Sequence, residues 1–167
     1  MEHKKLNPSE LALVAAYFRQ PNVVADAVRK GARITRSNLY AAICREDIEY
    51  LRILLTIPLQ EDSICDNDDD FIRYPTCILQ FACRYSYNPE VLEMIIQYYP
   101  QPDKWSSLCA HEVVTSFCPE KIRALSLLRD HGLRLDACDC RGRTPLFYAM
   151  NSHLTDVVAF LLENTCD

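Results

Sequence analysis

Glycine is nearly missing from this chain: Gly31, Gly132 and Gly142 are the only three in 167 residues. No Gly-rich phosphate-binding loop and no Gly-x-Ser-x-Gly nucleophile turn occurs, and His-Glu-x-x-His is absent as well, so the common motif-borne chemistries have no foothold. With so few glycines, several turns fall to Asn, Asp, Ser and Pro, as at Pro21-Asn22, Asn88-Pro89 and Cys118-Pro119. No apolar run approaches the roughly 20 residues needed to cross a bilayer, and no membrane role is expected. Basic excess is missing too. Lys and Arg number 18 against 23 Asp and Glu, for a net charge of −5, so the phosphate-driven balance of a nucleic-acid binder is not there.

Nine cysteines are present, an odd count, and no Cys-x-x-Cys pair is among them. The opening Met1-Glu2-His3-Lys4-Lys5 leads into an amphipathic pattern containing Glu10 and Arg19, which does not read as a secretory signal. Cys44, Cys83 and Cys109 fall inside apolar helical patterns, where free Cys behaves as a small buried hydrophobe. A reducing setting, cytoplasmic or nuclear, in the protein's own cell or in a host cell, is the expectation.

What the chain does hold is a repeated helical pattern. From Asp139 to Asp167 a turn closed by Gly142 leads into Thr144-Pro145-Leu146, with Thr144 suited to cap the exposed amides and Pro145 to the first helical turn. Ala149 allows close approach of a second helix, whose apolar stripe is Val157, Val158, Phe160, Leu161 and Leu162. Weaker copies stand upstream. Leu127-Leu128 with Asp130-His131-Gly132, Leu79-Gln80-Phe81-Ala82 with Val91 to Ile96, Leu39-Tyr40-Ala41-Ala42 with Ile48 to Leu55, and Ala15-Ala16 with Val23-Val24 repeat the two-helix pattern. Taking Ala15, Ala42, Ala82 and Ala149 as markers, the last interval is about two periods of roughly 33 residues, leaving room for a degenerate fourth copy.

The pattern resembles the ankyrin-repeat family over almost the whole chain. That resemblance implies an all-α solenoid of about five stacked helix-turn-helix repeats with β-turn fingers, forming a single domain over residues 1–167. The repeats are expected near residues 6–34, 35–59, 71–102, 103–136 and 137–167, with an acidic insertion at 60–70. Only the fifth has the full Thr-Pro opening, the fourth has lost it, and the Gly-His pair usual between the helices is missing from all five.

The resemblance also implies where function sits, because fingers and inner helices together line a concave groove. Projected onto this sequence, the candidate partner-binding residues are Tyr17 and Phe18 in the first repeat, Arg36 and Arg45 in the second, Arg73, Tyr74, Arg84 and Tyr85 in the third, and Arg141, Arg143, Asn151 and Ser152 in the fifth; Cys44 and Cys140 occupy the same face. Arg and Tyr are frequent energetic anchors at interfaces. Placed on one face of an acidic protein, they suit a protein partner with an acidic segment. The bland alternative is that these arginines are solvated and the rings pack locally. The expected role is a non-catalytic module acting as adaptor or inhibitor, of the kind a viral or bacterial effector uses to mimic host ankyrins. The alternatives are a substrate-recognition part of a ubiquitin-ligase adaptor and an enzyme with a Cys/His site.

No cofactor or metal is expected. Cys109 with His111, or Cys138 and Cys140 with His131, fit no strong zinc spacing. His131 belongs at a helix C-terminus, where partial positive charge is favourable. Gln60 to Asp70 holds a run of carboxylates that lacks the Gly and distal Glu of a calcium loop and reads as a solvated insertion. At the ends, Lys4, Lys5, Glu10, Arg19 and Gln20 could cap the first repeat. The last repeat has little polar cover, so either its polar side faces outward, or the chain continues, or the end docks on a partner or on a second copy.

Overall fold

A computed structural model of the chain describes residues 6–60, 78–100 and 107–165. Within them are ten α-helices and no strand. Two compact units, Met1–Asp70 and Phe71–Asp167, are separated by their internal contacts.

The first unit contains α1 (Pro8–Tyr17), α2 (Pro21–Arg29), α3 (Arg36–Arg45) and α4 (Ile48–Leu55). Each start has a local cause. Asn7 and Glu10 exchange bonds at 2.8 Å each way, closing a capping box on α1. Pro21 opens α2, Thr35 and Asn38 form a second capping box on α3, and the Asp47 carboxylate accepts the Tyr50 amide at 3.0 Å to start α4. The α1–α2 and α3–α4 pairs pack as hairpins, and α1 also meets α4. Ala12, Ala16, Leu39, Ala42, Ile43, Leu51 and Leu54 close the core. One parallel bridge ties Ile34 to Leu59.

The second unit contains α5 (Ile78–Tyr85), α6 (Pro89–Tyr98), α7 (Cys109–Thr115), α8 (Lys121–Asp130), α9 (Pro145–Asn151) and α10 (Thr155–Thr165). They form two layers: α5, α7 and α9 pack side by side in one, and α6, α8 and α10 in the other. Small residues at the crossings let the layers close, since Ala82, Cys109, Ala110, Ala124 and Ala149 are almost completely buried. Leu125, Leu128 and Leu161 fill the space between the outer helices. Replacing any of these leucines by Ala would cost about 2–5 kcal/mol.

The shortage of glycine is met in an unexpected way. Arg19, Glu46 and His153 adopt φ of 55°, 52° and 55°, each just after the first helix of a pair. At Arg19 and His153 the following amide then reaches back: Gln20 donates to the Ala15 carbonyl at 2.8 Å and Leu154 to that of Ala149 at 3.0 Å. Of the expected turn residues, Pro21 and Pro89 are first residues of helices and Asn88 caps α6, while Cys118 and Pro119 do lie in the turn between α7 and α8. Cys83 and Cys109 are buried as expected, whereas Cys44 is exposed. It lies on the outer side of α3, opposite the face that buries Ala42 and Ile43. Arg73, Tyr74, Lys4, Lys5 and the acidic stretch from Glu61 to Asp70 lie outside the described residues.

Candidate functional site

In the first unit the helix ends bring three of the anticipated residues together. The Arg45 guanidinium lies 5.1 Å from the Tyr17 ring centroid, and Phe18 meets Tyr17 edge to face at 5.3 Å. Tyr17 is 52% and Phe18 65% exposed. Tyr50 backs the same ring at 6.1 Å, and the Arg19 guanidinium pairs with Asp47 at 3.2 Å. The Asp47 carboxyl is held below its usual range, first by the Tyr50 amide and then by Arg19, while burial pushes the Tyr50 phenol up. Arg45 makes no direct ion pair among the described residues, although its charge is felt by the Asp47 carboxylate, and it lies over an aromatic pair that solvent can reach. Arg36 does not join them, since it opens α3 about 14 Å of helix away from Arg45.

In the second unit the finger before α9 is built around Asp139. Its carboxylate accepts the amides of Arg141 and Arg143 at 2.8 and 2.9 Å, the Arg143 Nε at 3.1 Å and the Tyr148 hydroxyl at 2.6 Å. The Tyr148 bond leads in holding this carboxyl far below the ordinary range, and the same bond raises the Tyr148 phenol. Gly142, at φ 74°, closes the turn by donating to the Asp139 carbonyl at 2.9 Å. Thr144 caps α9 by accepting the Phe147 amide. Arg143 is consumed by this frame, paired with Asp139 and stacked 4.7 Å from the Tyr148 centroid. Arg141 is left pointing to solvent from the finger, and Asn151 and Ser152 are exposed at the far end of α9.

Arg84 and Tyr85 sit together at the end of α5, with Arg84 5.7 Å from the Tyr85 centroid. Arg84 also donates to Glu112 of α7 at 3.2 Å, beside a Gln80 contact of 3.0 Å to the same carboxylate. His111 links the next pair, its Nε2 donating to the Arg143 carbonyl at 2.9 Å, while its ring meets Tyr148 edge to face and its Nδ1 is buried without a partner. His131 Nδ1 donates to the Leu127 carbonyl at 2.8 Å at the end of α8, the anticipated helix-end role.

Asp47, Glu112 and Asp139 were not among the expected residues, although each decides what its arginine does. Two of them carried a signal. Asp139 stands three residues before Gly142, the Asp-x-x-Gly pattern of a type I turn, and Asp47 directly precedes the apolar stripe of α4. Among the described residues no cluster of three metal-ligating side chains occurs, and no helix is long and apolar enough to cross a membrane.

These units define a helical-repeat scaffold: paired antiparallel helices, stacked in layers and joined by turns. Its kind is shown by comparison with known proteins. The family model for the ankyrin repeat matches residues 141–167. Among solved structures, an ankyrin repeat domain from Acinetobacter baumannii AYE is similar over 97% of this chain and 87% of that one, with a TM-score of 0.66 at 17% identity. A search of the curated proteins found no significant relative. The fold is that of an ankyrin-repeat domain, and the last repeat carries the family's sequence pattern. Ankyrin repeats are generally protein–protein interaction modules and not enzymes.

Proposed function

We propose that this chain binds a protein partner through its finger and inner-helix face, without catalysis, and acts by occupying the partner's surface as an adaptor or inhibitor. The observation that carries the reading is the Tyr17, Phe18 and Arg45 cluster. Two exposed rings on helix ends, with a guanidinium that makes no direct ion pair among the described residues over one of them, offer large contact area and directed hydrogen bonding at small ordering cost. An acidic segment is the natural complement of Arg45 in the first unit, and of Arg141 in the second; Arg84 and Arg143 contribute less charge, because Glu112 and Asp139 pair with them. The same chemistry serves an effector that mimics host ankyrins. The thiols of Cys44, Cys138 and Cys140, free and exposed, are compatible with a cytoplasmic or nuclear setting.

The test is affinity purification with mass spectrometry, comparing the wild type with a Tyr17→Ala, Phe18→Ala, Arg45→Ala variant and a Tyr85→Ala, Arg141→Ala, Asn151→Ala variant. Arg143 is left intact so that the finger keeps its shape. Helical circular dichroism must be unchanged in both. A partner lost with the first variant supports the reading, and a partner retained by both removes it.

A further inference from the structure

We propose that the turn joining α2 to α3 seats a carboxylate of the partner protein, an Asp or Glu side chain of an extended acidic segment, in an open pocket walled by Arg33. This rests on the reading of the finger and inner-helix face as a partner surface, and it says where the first unit grips the acidic segment. Residues 29–36 read Arg-Lys-Gly-Ala-Arg-Ile-Thr-Arg, four cations and no carboxylate, in a chain whose net charge is −5. The turn is pinned from within. Ala32 and Ile34 are buried, and Ile34 bonds to the segment after α4, donating to the Pro58 carbonyl at 3.0 Å and accepting the Gln60 amide at 2.7 Å. Between them Arg33 stands exposed, as the alternation of an extended chain requires. Its amide donates to Ser9 Oγ of α1 at 3.0 Å, and its Nη1 to the Leu59 carbonyl at 3.5 Å.

Beside this guanidinium lies a pocket of about 510 Å³ lined by Ser9, Gly31, Arg33, Leu59 and Gln60. Arg33 is the charged member of that lining, and a bond to a neutral carbonyl leaves its charge intact. The adjoining described segments keep the same sign when every charge is counted. Arg29, Lys30, Arg33 and Arg36 stand against Asp26 and Glu10, four cations against two carboxylates, and Thr56 to Gln60 on the far wall carry no charge. Asp26 also pairs directly with Arg29 at 2.7 Å, and Glu10 is folded back onto the Asn7 amide at 2.8 Å. Shape agrees with charge. A guanidinium presents paired N–H donors that match both oxygens of a carboxylate, and the Ser9 hydroxyl and Gln60 amide add donors to the same wall. At −5 the chain as a whole repels an acidic segment, so its places of local positive excess decide where one sits. Because the turn is already ordered, little backbone freedom is lost on binding.

The test selects a random dodecapeptide phage library on the immobilised full chain, then measures the enriched peptides by fluorescence polarisation. Wild type is compared with Arg33→Gln, with Lys30→Gln, with the Tyr17→Ala, Phe18→Ala, Arg45→Ala variant, and with Glu61→Gln, Asp62→Asn, which removes the carboxylates next in sequence after Gln60. Circular dichroism and thermal melts must match the wild type; the bonds that pin the turn are backbone bonds, so Arg33→Gln leaves them in place. The expected result is enrichment of peptides rich in Asp and Glu, bound less tightly as salt rises. Their affinity should fall at least about tenfold in Arg33→Gln and by less in Lys30→Gln, and should not weaken in Glu61→Gln, Asp62→Asn. Failure to enrich any peptide, enrichment of peptides without Asp or Glu, binding that survives Arg33→Gln, or weakening in Glu61→Gln, Asp62→Asn overturns the proposal. Acidic peptides lost with the triple variant but kept by Arg33→Gln overturn this pocket while upholding the reading of the face. Loss in Arg33→Gln supports the pocket whether or not the triple variant binds.

Discussion

Replacing His153 by Gly should stabilise the protein, although it deletes a whole side chain. His153 holds φ at 55°, a left-handed conformation that costs a residue with a Cβ about 1–2 kcal/mol. Glycine has no such cost but loses more backbone entropy on folding, about 0.5–1 kcal/mol. The imidazole is exposed and accepts or donates no hydrogen bond among the described residues, so no hydrogen bond is lost with it. The balance is a gain of about 0.5–1 kcal/mol. In a chain of this length that corresponds to roughly 1–4 °C in Tm. Urea titration followed at 222 nm, with calorimetry, reads it directly. Arg19→Gly relieves the same strain but also gives up the ion pair to Asp47, so its gain should be smaller. An unchanged or lower midpoint for His153→Gly would refute the strain argument, since the exposed ring holds no hydrogen bond or ion pair among the described residues.

Gly31→Ala reverses the experiment: a Cβ there meets nothing within 4 Å, so the loss of about 1 kcal/mol expected from φ 87° is purely a backbone effect, measurable by the same titration. Asp139→Asn should flatten the acid limb of the stability profile. The folded-state carboxyl is depressed, so its contribution is complete above the unfolded value of about 4 and is lost progressively as pH falls from there through the folded value; the gap between wild type and variant in thermal melts should narrow steadily from about pH 4 down to pH 2. Lys121→Met leaves the Val113 and Ser116 carbonyls without their ammonium and should cost about 1–2 kcal/mol, with amide exchange rising first at the end of α7.

The helix pairs were legible because a repeated apolar stripe can be buried in few ways, and the fifth repeat was the clearest because Gly142, Thr144, Pro145 and Ala149 each answer a separate backbone or packing demand. The left-handed positions at Arg19, Glu46 and His153 were harder to read. Their composition gives no hint of positive φ; only the place where a Gly would ordinarily stand marks them. The candidate site was readable as a choice of residues but not as a charge distribution. Arg84, Arg143 and Arg45 look alike in sequence, yet Glu112 and Asp139 pair directly with the first two from across a helix gap and a turn, while Arg45 lies over a ring and the nearby Asp47 pairs with Arg19 instead.

The four bonds that Asp139 gathers hold the finger as a closed frame whose shape depends on one carboxylate and not on the residues displayed at its tip. Cys140 and Arg141 can therefore be exchanged without rebuilding the loop. Recognition at this point is free to drift, or to be redesigned, while the fold beneath stays constant.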